Sequence, residues 1–233
     1  MKKYNVLLVL ALLLGSSFAS HAKLILASDG SLVSDLSNAS GVVLDINDSE
    51  LLSGAYNVMV EGTAYDVQFI EGTYQSIFGD NPTFFANDLS SAFRFSVALS
   101  DQVFLDVPNY DFDSRPELTY GCDTISGNIY ACLVITLYGS TSDTSLSYFN
   151  APSGLMLLGA RTENYNPNAF EVDDSFQYRG DSLFETTNSP ANVYAQWSLA
   201  SDRLSSVEVS SPGAFTIALL GGLLLLMRRV NAA

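Results

Sequence analysis

Ala55-Tyr56-Asn57-Val58-Met59-Val60-Glu61-Gly62-Thr63-Ala64-Tyr65-Asp66-Val67-Gln68-Phe69-Ile70-Glu71-Gly72-Thr73-Tyr74 reads as two strands and the corners that end them. Tyr65, Val67 and Phe69 alternate with Asp66 and Gln68, the period of a strand with one buried face and one wetted face. Tyr56–Val60 precedes it, and Glu61-Gly62 separates the two runs. Gly62 can take the positive φ that a short hairpin turn requires, and Gly72 can do the same at the next corner. A hairpin here commits the surrounding chain to building a sheet.

On the N-terminal side, Leu24–Ala27 and Gly41–Ile46 are expected as further short strands, set apart by Ser-, Asn- and Asp-rich turns. On the C-terminal side the period changes. Phe85, Leu89, Phe93, Val97 and Phe104 fall on one side of a helix across 84–105, with Ala92 and Ser96 beside them and Asp88, Arg94 and Asp101 elsewhere. Asn87 is the expected N-cap, and Pro108 closes the segment. The aromatic stripe is read as core that covers one sheet face, not as a binding site. Leu133–Tyr138, Leu155–Ala160, Ser175–Arg179 and Val193–Leu199 supply the remaining strands, spaced by Gly, Pro, Asn and Ser turns. The fold class expected is α+β, a mainly antiparallel sheet with one principal amphipathic helix.

The chemistry on offer is sparse. Cys122 and Cys132 are the only cysteines and bracket the turn signal Ser126-Gly127-Asn128. In an exported chain they are expected to be oxidised to a disulfide, and no third soft ligand exists for a metal site. Asp45-Ile46-Asn47-Asp48-Ser49-Glu50 clusters oxygen ligands. An EF-hand loop would need glycine where Glu50 stands and glutamate where Tyr56 stands, so a solvated turn is the better reading and calcium the alternative. Asp111 and Asp113, and Asp173 and Asp174, are the best carboxylate pairs. At i and i+2 of a strand, Asp111 and Asp113 would share a face and could flank a bond. Pro108, Asn109 and Pro116 around them favour plain loop solvation. Tyr148, Tyr165 and Tyr178 could stack on sugars, although tyrosine is plentiful in this chain. No metal and no cofactor is expected.

Met1–Ala22 has the layout of a secretory signal peptide. Lys2 and Lys3 form a basic start, Val6–Leu14 an apolar stretch, and Ser20-His21-Ala22 a small-x-small cleavage site, which makes Lys23 the new N-terminus. Cleavage there removes His21, the only histidine. Without an imidazole the body cannot run Ser-His-Asp or Cys-His chemistry or build a His-ligated metal site. Lys23 is then the only lysine outside the leader, so Ser-Lys and Schiff-base schemes have almost nothing to use. Carboxylate pairs and carboxylate-bound metal are what remain to an enzyme.

The other end is Val209-Ser210-Ser211-Pro212-Gly213, then Ala214–Met227 without a charge, then Arg228-Arg229. The apolar run is 14 residues. As a helix it spans roughly 21 Å against about 30 Å of hydrocarbon, which is short for a permanent span. Arg228 and Arg229 are expected to stay cytoplasmic and leave the body outside. This layout resembles the PEP-CTERM sorting signal of Gram-negative bacteria: a Val-Pro-Glu-Pro-like motif, a short apolar helix and a terminal Arg cluster. Here Val209, Ser210, Ser211 and Pro212 stand at the motif, and only its final proline is kept. The hairpin pattern Val58-x-Val60-x-Gly62-x-x-Tyr65-Asp66-Val67-x-Phe69 also resembles one that recurs in exported proteins with such tails.

The resemblance implies recognition by an exosortase-like membrane protease, cleavage near the motif, and delivery of the body to the cell surface or an exopolysaccharide matrix. The expected organisation is a signal peptide over 1–22, a secreted domain over 23–206 and a sorting signal over 207–233 with its transmembrane helix at 214–227. Signal peptidase and the inner membrane are the further partners expected. With both ends gone, six basic residues face 25 acidic ones, so the formal charge moves from −15 to −19. Such a surface repels nucleic acid, which is not an expected partner. A non-enzymatic surface or matrix component is the function expected. The alternatives are a secreted carboxylate-dependent hydrolase and a permanently anchored, outward-facing binding protein.

Overall fold

The computed structural model describes residues 23–80, 82–122, 131–141, 156–165, 175–181, 186–188 and 191–202. Signal cleavage at Ala22, the sorting residues Val209–Pro212, the helix at 214–227 and Arg228-Arg229 lie outside the described residues. The chain divides into two units, 1–200 and 201–233, and the fold described is that of the first.

Among the described residues there are ten strands and two α-helices, besides short 3-10 turns. In chain order they are β1 (Lys23–Leu26), β2 (Val43–Ile46), β3 (Leu52–Val60), β4 (Thr63–Ile70), α1 (Tyr74–Phe78), α2 (Leu89–Gln102), β5 (Asp106–Val107), β6 (Tyr110–Asp111), β7 (Ala131–Thr141), β8 (Met156–Tyr165), β9 (Ser175–Asp181) and β10 (Asn192–Leu199). Eight of the strands form one sheet in the order β1-β2-β3-β4-β10-β7-β8-β9, and β5 and β6 form a separate short hairpin. The α+β class expected from periodicity is what the described residues adopt. The sheet is not wholly antiparallel, because β10 pairs with β7 in parallel.

The β3–β4 hairpin forms where its sequence directs. Val60 faces Thr63 across a two-residue loop, and Glu61 and Gly62 both have positive φ, 50° and 82°. That is the primed turn whose twist matches paired strands. The ladder slips between Ala55 and Val58, and Asn57 takes a φ of 61° at the bulge. Asp66, expected on the wetted face, is only 5 % exposed. Its carboxylate accepts the Asn57 backbone N–H at 3.2 Å. The bulge frees an N–H that needs an acceptor, and the carboxylate opposite supplies it.

Helix α2 begins one residue later than its sequence suggests, and it buries a different face. The N-cap is Asp88, not Asn87. The Asp88 carboxylate accepts the Ser91 N–H at 2.7 Å, and the Ser91 hydroxyl accepts the Asp88 N–H in return. This backbone N–H holds the Asp88 carboxyl below its ordinary range. Ala92, Phe95, Ser96, Ala98 and Leu99 are buried, whereas Val97 is 47 % and Phe85 36 % exposed. Leu89 and Phe93 are half-buried. An i+4 row drifts around a helix, so Leu89, Phe93 and Val97 run along the flank, whereas Phe104 after the helix and Ala92 and Ser96 beside the stripe are buried as expected. Small residues face the sheet because the helix backbone comes close to it: Thr162 Oγ1 of β8 donates to the Ser96 carbonyl at 3.1 Å. Phe95 fills the gap left beside them, with ring centroids 4.9 Å from Tyr65 and 4.7 Å from Trp197.

Alternation along the strands divides the core between two faces. On the α2 side lie Cys132 and Val134 of β7 with Leu44, Val67, Phe69 and Trp197. On the other side Ile135, Leu137, Leu157 and Tyr194 pack with Tyr74 of α1, flanked by Phe78 and Phe84. Phe78 meets the Tyr194 ring edge-on at 5.6 Å. The short helix α1 therefore covers the β10–β7–β8 part of this second face. The β2–β3–β4 part of the same face has no helix over it among the described residues.

Candidate functional site

Cys122 and Cys132 stand at bonding distance, with Cα atoms 5.6 Å apart, and both are fully buried. The pair ties the end of the segment that follows β6 to the start of β7. Lys23, the residue that leader cleavage would expose, begins β1, and its ammonium donates to the Tyr110 hydroxyl while lying 4.8 Å from that ring's centroid.

The other chemistry-bearing residues are mostly absorbed by local structure. Asp111 ends β6 opposite Asp106 in register. Asp113 follows in the turn, where its backbone N–H and that of Ser114 both donate to Asp106 Oδ1 at 3.0 Å. Asp111 and Asp113 are thus split between a strand end and a turn organised by Asp106. Asp173, Asp174 and Tyr148 lie outside the described residues. Tyr165 donates to Glu163, which also pairs with Arg161. Tyr178 packs beside Tyr74 and Leu157. In the Asp45–Glu50 stretch, Asn47 Oδ1 accepts the Ser49 N–H at 2.9 Å and the Leu51 N–H at 3.1 Å. That oxygen caps a turn, as a solvated-turn reading requires. Among the described residues no three His, Cys, Asp or Glu side chains gather as a metal site would need. No described helix is long and apolar enough to cross a membrane.

Two concavities among the described residues bear on a site. One lies between α2 and the tip of the β3–β4 hairpin, lined by Met59, Val60, Phe93, Val97 and Ala98 and rimmed by the Arg94–Glu61 ion pair. Gln102 seals its edge, since its side-chain amide donates to the Met59 carbonyl and accepts the Met59 N–H, both at 2.9 Å. The edge of β3 is thereby satisfied by a side chain where no strand continues the sheet.

The second concavity is an open cleft of about 290 Å³ on the sheet face opposite α2, lined by Asp45, Asn47, Ser53, Gln68, Phe69, Ile70 and Tyr120. Register builds it. Asp45 of β2 faces Gly54 of β3, Gly54 faces Gln68 of β4, and Gln68 faces Gln196 of β10. One row across four strands thus carries a carboxylate, a gap and two amides. The gap is enforced, because a Cβ on Gly54 would lie 2.3 Å from the Val67 carbonyl oxygen. Asp45 Oδ2 accepts the Tyr56 hydroxyl at 3.0 Å, while Oδ1 is shielded and meets no donor. Burial raises the Asp45 carboxyl above its ordinary range, against the lowering effect of Tyr56 and Ser53. Nothing in the sequence marked Asp45 beyond its place in an acidic stretch, because the row exists only once four strands are in register.

The raised carboxyl sets a pH signature. The folded chain holds the Asp45 proton more tightly than the unfolded chain, so this residue contributes less stability as pH rises from the ordinary carboxylate range, and at neutral pH it is a cost. The difference in melting temperature between Asp45→Asn and the parent should shift in favour of the variant from pH 4 to pH 7, as measured by circular dichroism. Parallel profiles for the two proteins would show that Asp45 titrates as it does in the unfolded chain.

No protein-family model, curated protein or solved structure matches the chain.

Proposed function

We propose that this chain is an exported protein with a C-terminal exosortase-type sorting signal, and that its body is a non-enzymatic component of the cell surface or an exopolysaccharide matrix. One observation carries the reading: Val209-Ser210-Ser211-Pro212, the uncharged run Ala214–Met227 and Arg228-Arg229 occur in the order such a signal needs. Each part is marginal as a permanent anchor, since about 20 apolar residues are the usual minimum for a span. The N-terminal Lys2-Lys3, apolar run and Ser20-His21-Ala22 support the same route, because a sorting tail has a use only on an exported chain. Loss of His21 at that cleavage supports a non-enzymatic body. Signal peptidase, an exosortase-like membrane protease and the inner membrane are the partners this route requires, with exopolysaccharide as the final surroundings.

Mass spectrometry of the protein from its native host tests both ends together. The mature chain should begin at Lys23 and lack Ala214–Ala233. Pro212→Ala should slow removal of the tail without preventing insertion, because the hydrophobicity of the helix is unchanged. Replacing Arg228 and Arg229 with serine should impair retention or orientation, since these residues hold the cytoplasmic end. A mature protein that keeps its C-terminal peptide in a host with a working exosortase would replace this reading with that of a permanently anchored protein.

A further inference from the structure

We infer that the cleft across β2, β3 and β4 binds a neutral glycan, an uncharged polyhydroxylated chain laid along the row Asp45–Gly54–Gln68–Gln196. The inference rests on the matrix reading above and gives the body a ligand within it. The row joins an acceptor without a donor, Asp45 Oδ1, to two amides that each offer both donor and acceptor. Gln68 is exposed and Gln196 half-buried. Gly54 lowers the floor between Asp45 and Gln68, so a ring hydroxyl entering there lies beside the Gln68 amide and the Asp45 side chain that line the cleft. Tyr120 at the wall supplies a flat apolar surface of the kind a sugar ring covers, and Phe69 and Ile70 add apolar atoms below.

Charge and polarity select among ligands. Among the described residues no cationic side chain lines the cleft, and a body of formal charge −19 repels polyanions. A bound cation would find one carboxylate, because Asn47 Oδ1 already accepts two backbone N–H groups. A protein partner would want an apolar centre, yet none of the exposed large apolar side chains Leu32, Met59, Phe85 and Val97 lines this cleft. A hydroxyl-rich neutral chain can donate to and accept from both amides without bringing a charge to the acidic face.

Affinity electrophoresis of the mature protein in gels containing dextran, galactomannan or alginate tests the assignment. Retardation is expected with dextran or galactomannan and not with alginate. Gln68→Ala combined with Gln196→Ala should weaken that retardation by about tenfold, since two hydrogen-bonding groups are lost. Both residues are outside the core, so the variant keeps its melting temperature. Asp45→Asn should also weaken retardation, while its melting temperature at neutral pH does not fall below the parent's. Unchanged migration in both neutral gels overturns the glycan site and leaves the face to a protein partner. Retardation by alginate, or retardation indifferent to the two glutamines, overturns it as well. Tail removal is read separately by mass spectrometry. A processed protein that ignores glycans sinks this inference alone, and a retarded protein with an intact tail sinks the sorting reading alone.

Discussion

Cys122→Ala with Cys132→Ala should lower the unfolding free energy by about 3 kcal/mol in a urea titration, the loop-entropy value for a crosslink of this span. The two residues are ten apart in sequence. Both cysteines belong to the core on the α2 side of the sheet, in one cluster with Val134 and Val193. Serine at either position should cost more than alanine, because it brings a hydroxyl into an apolar site. The intact protein should show no thiol reactive to a labelling reagent before reduction. Full labelling of the unreduced protein, or equal urea midpoints for parent and double variant, would remove the crosslink from the account of stability.

Phe104→Ala is expected to lose about 3–5 kcal/mol, the range for deleting a fully buried aromatic ring. Phe104 follows α2 directly, is 1 % exposed, and stacks on Phe69 of β4 with centroids 5.7 Å apart. Its backbone N–H donates to the Leu99 carbonyl at 2.9 Å, so ring and backbone together fix where the helix leaves the sheet. The cost should appear mostly as a cavity, since the neighbours Phe69 and Leu99 are held by ladder and helix and cannot collapse into the space. Phe93→Ala on the half-buried flank of the same helix should cost clearly less. Equal losses at the two positions would mean that the helix face is assigned wrongly.

Sequence periodicity located every long strand of the sheet, and the reason lies in particular residues. Tyr65, Val67 and Phe69 alternate because β4 has one buried side, and Glu61-Gly62 leaves the turn little alternative to the primed form. Local spacing could not resolve contacts that depend on pairing. Leu89, Phe93 and Val97 make the more apolar row of α2, yet Ala92, Ser96 and Leu99 are the buried ones, and the small Ala92 and Ser96 let the Ser96 carbonyl reach Thr162. Asp66 looks solvated until the Asn57 bulge requires an acceptor. The short helix α1 is invisible to an eleven-residue window, and its place is set by Tyr74 reaching Tyr194 and Ile135. The cleft was legible only in part. Asp45 stood in a conspicuous acidic run, whereas Gln68 and Gln196 are more than a hundred residues apart and meet through the register of β4 and β10. The proposed sorting tail would be a linear signal, read as order and composition without any fold.

The position of β10 also governs timing. It is the last strand among the described residues, yet it sits mid-sheet, antiparallel to β4 on one side and parallel to β7 on the other. Until Asn192–Leu199 is available, the chain consists of two partial sheets, β1 to β4 and β7 to β9, whose facing edges have nothing to pair with. Synthesis delivers the N-terminal part first, and pairings between distant segments close slowly. A ribosome that stalls before residue 192 therefore releases two open edges, the template for aggregation. A chain that emerges in full joins its two partial sheets only when Asn192–Leu199 arrives, so the last strand made decides when the sheet becomes continuous.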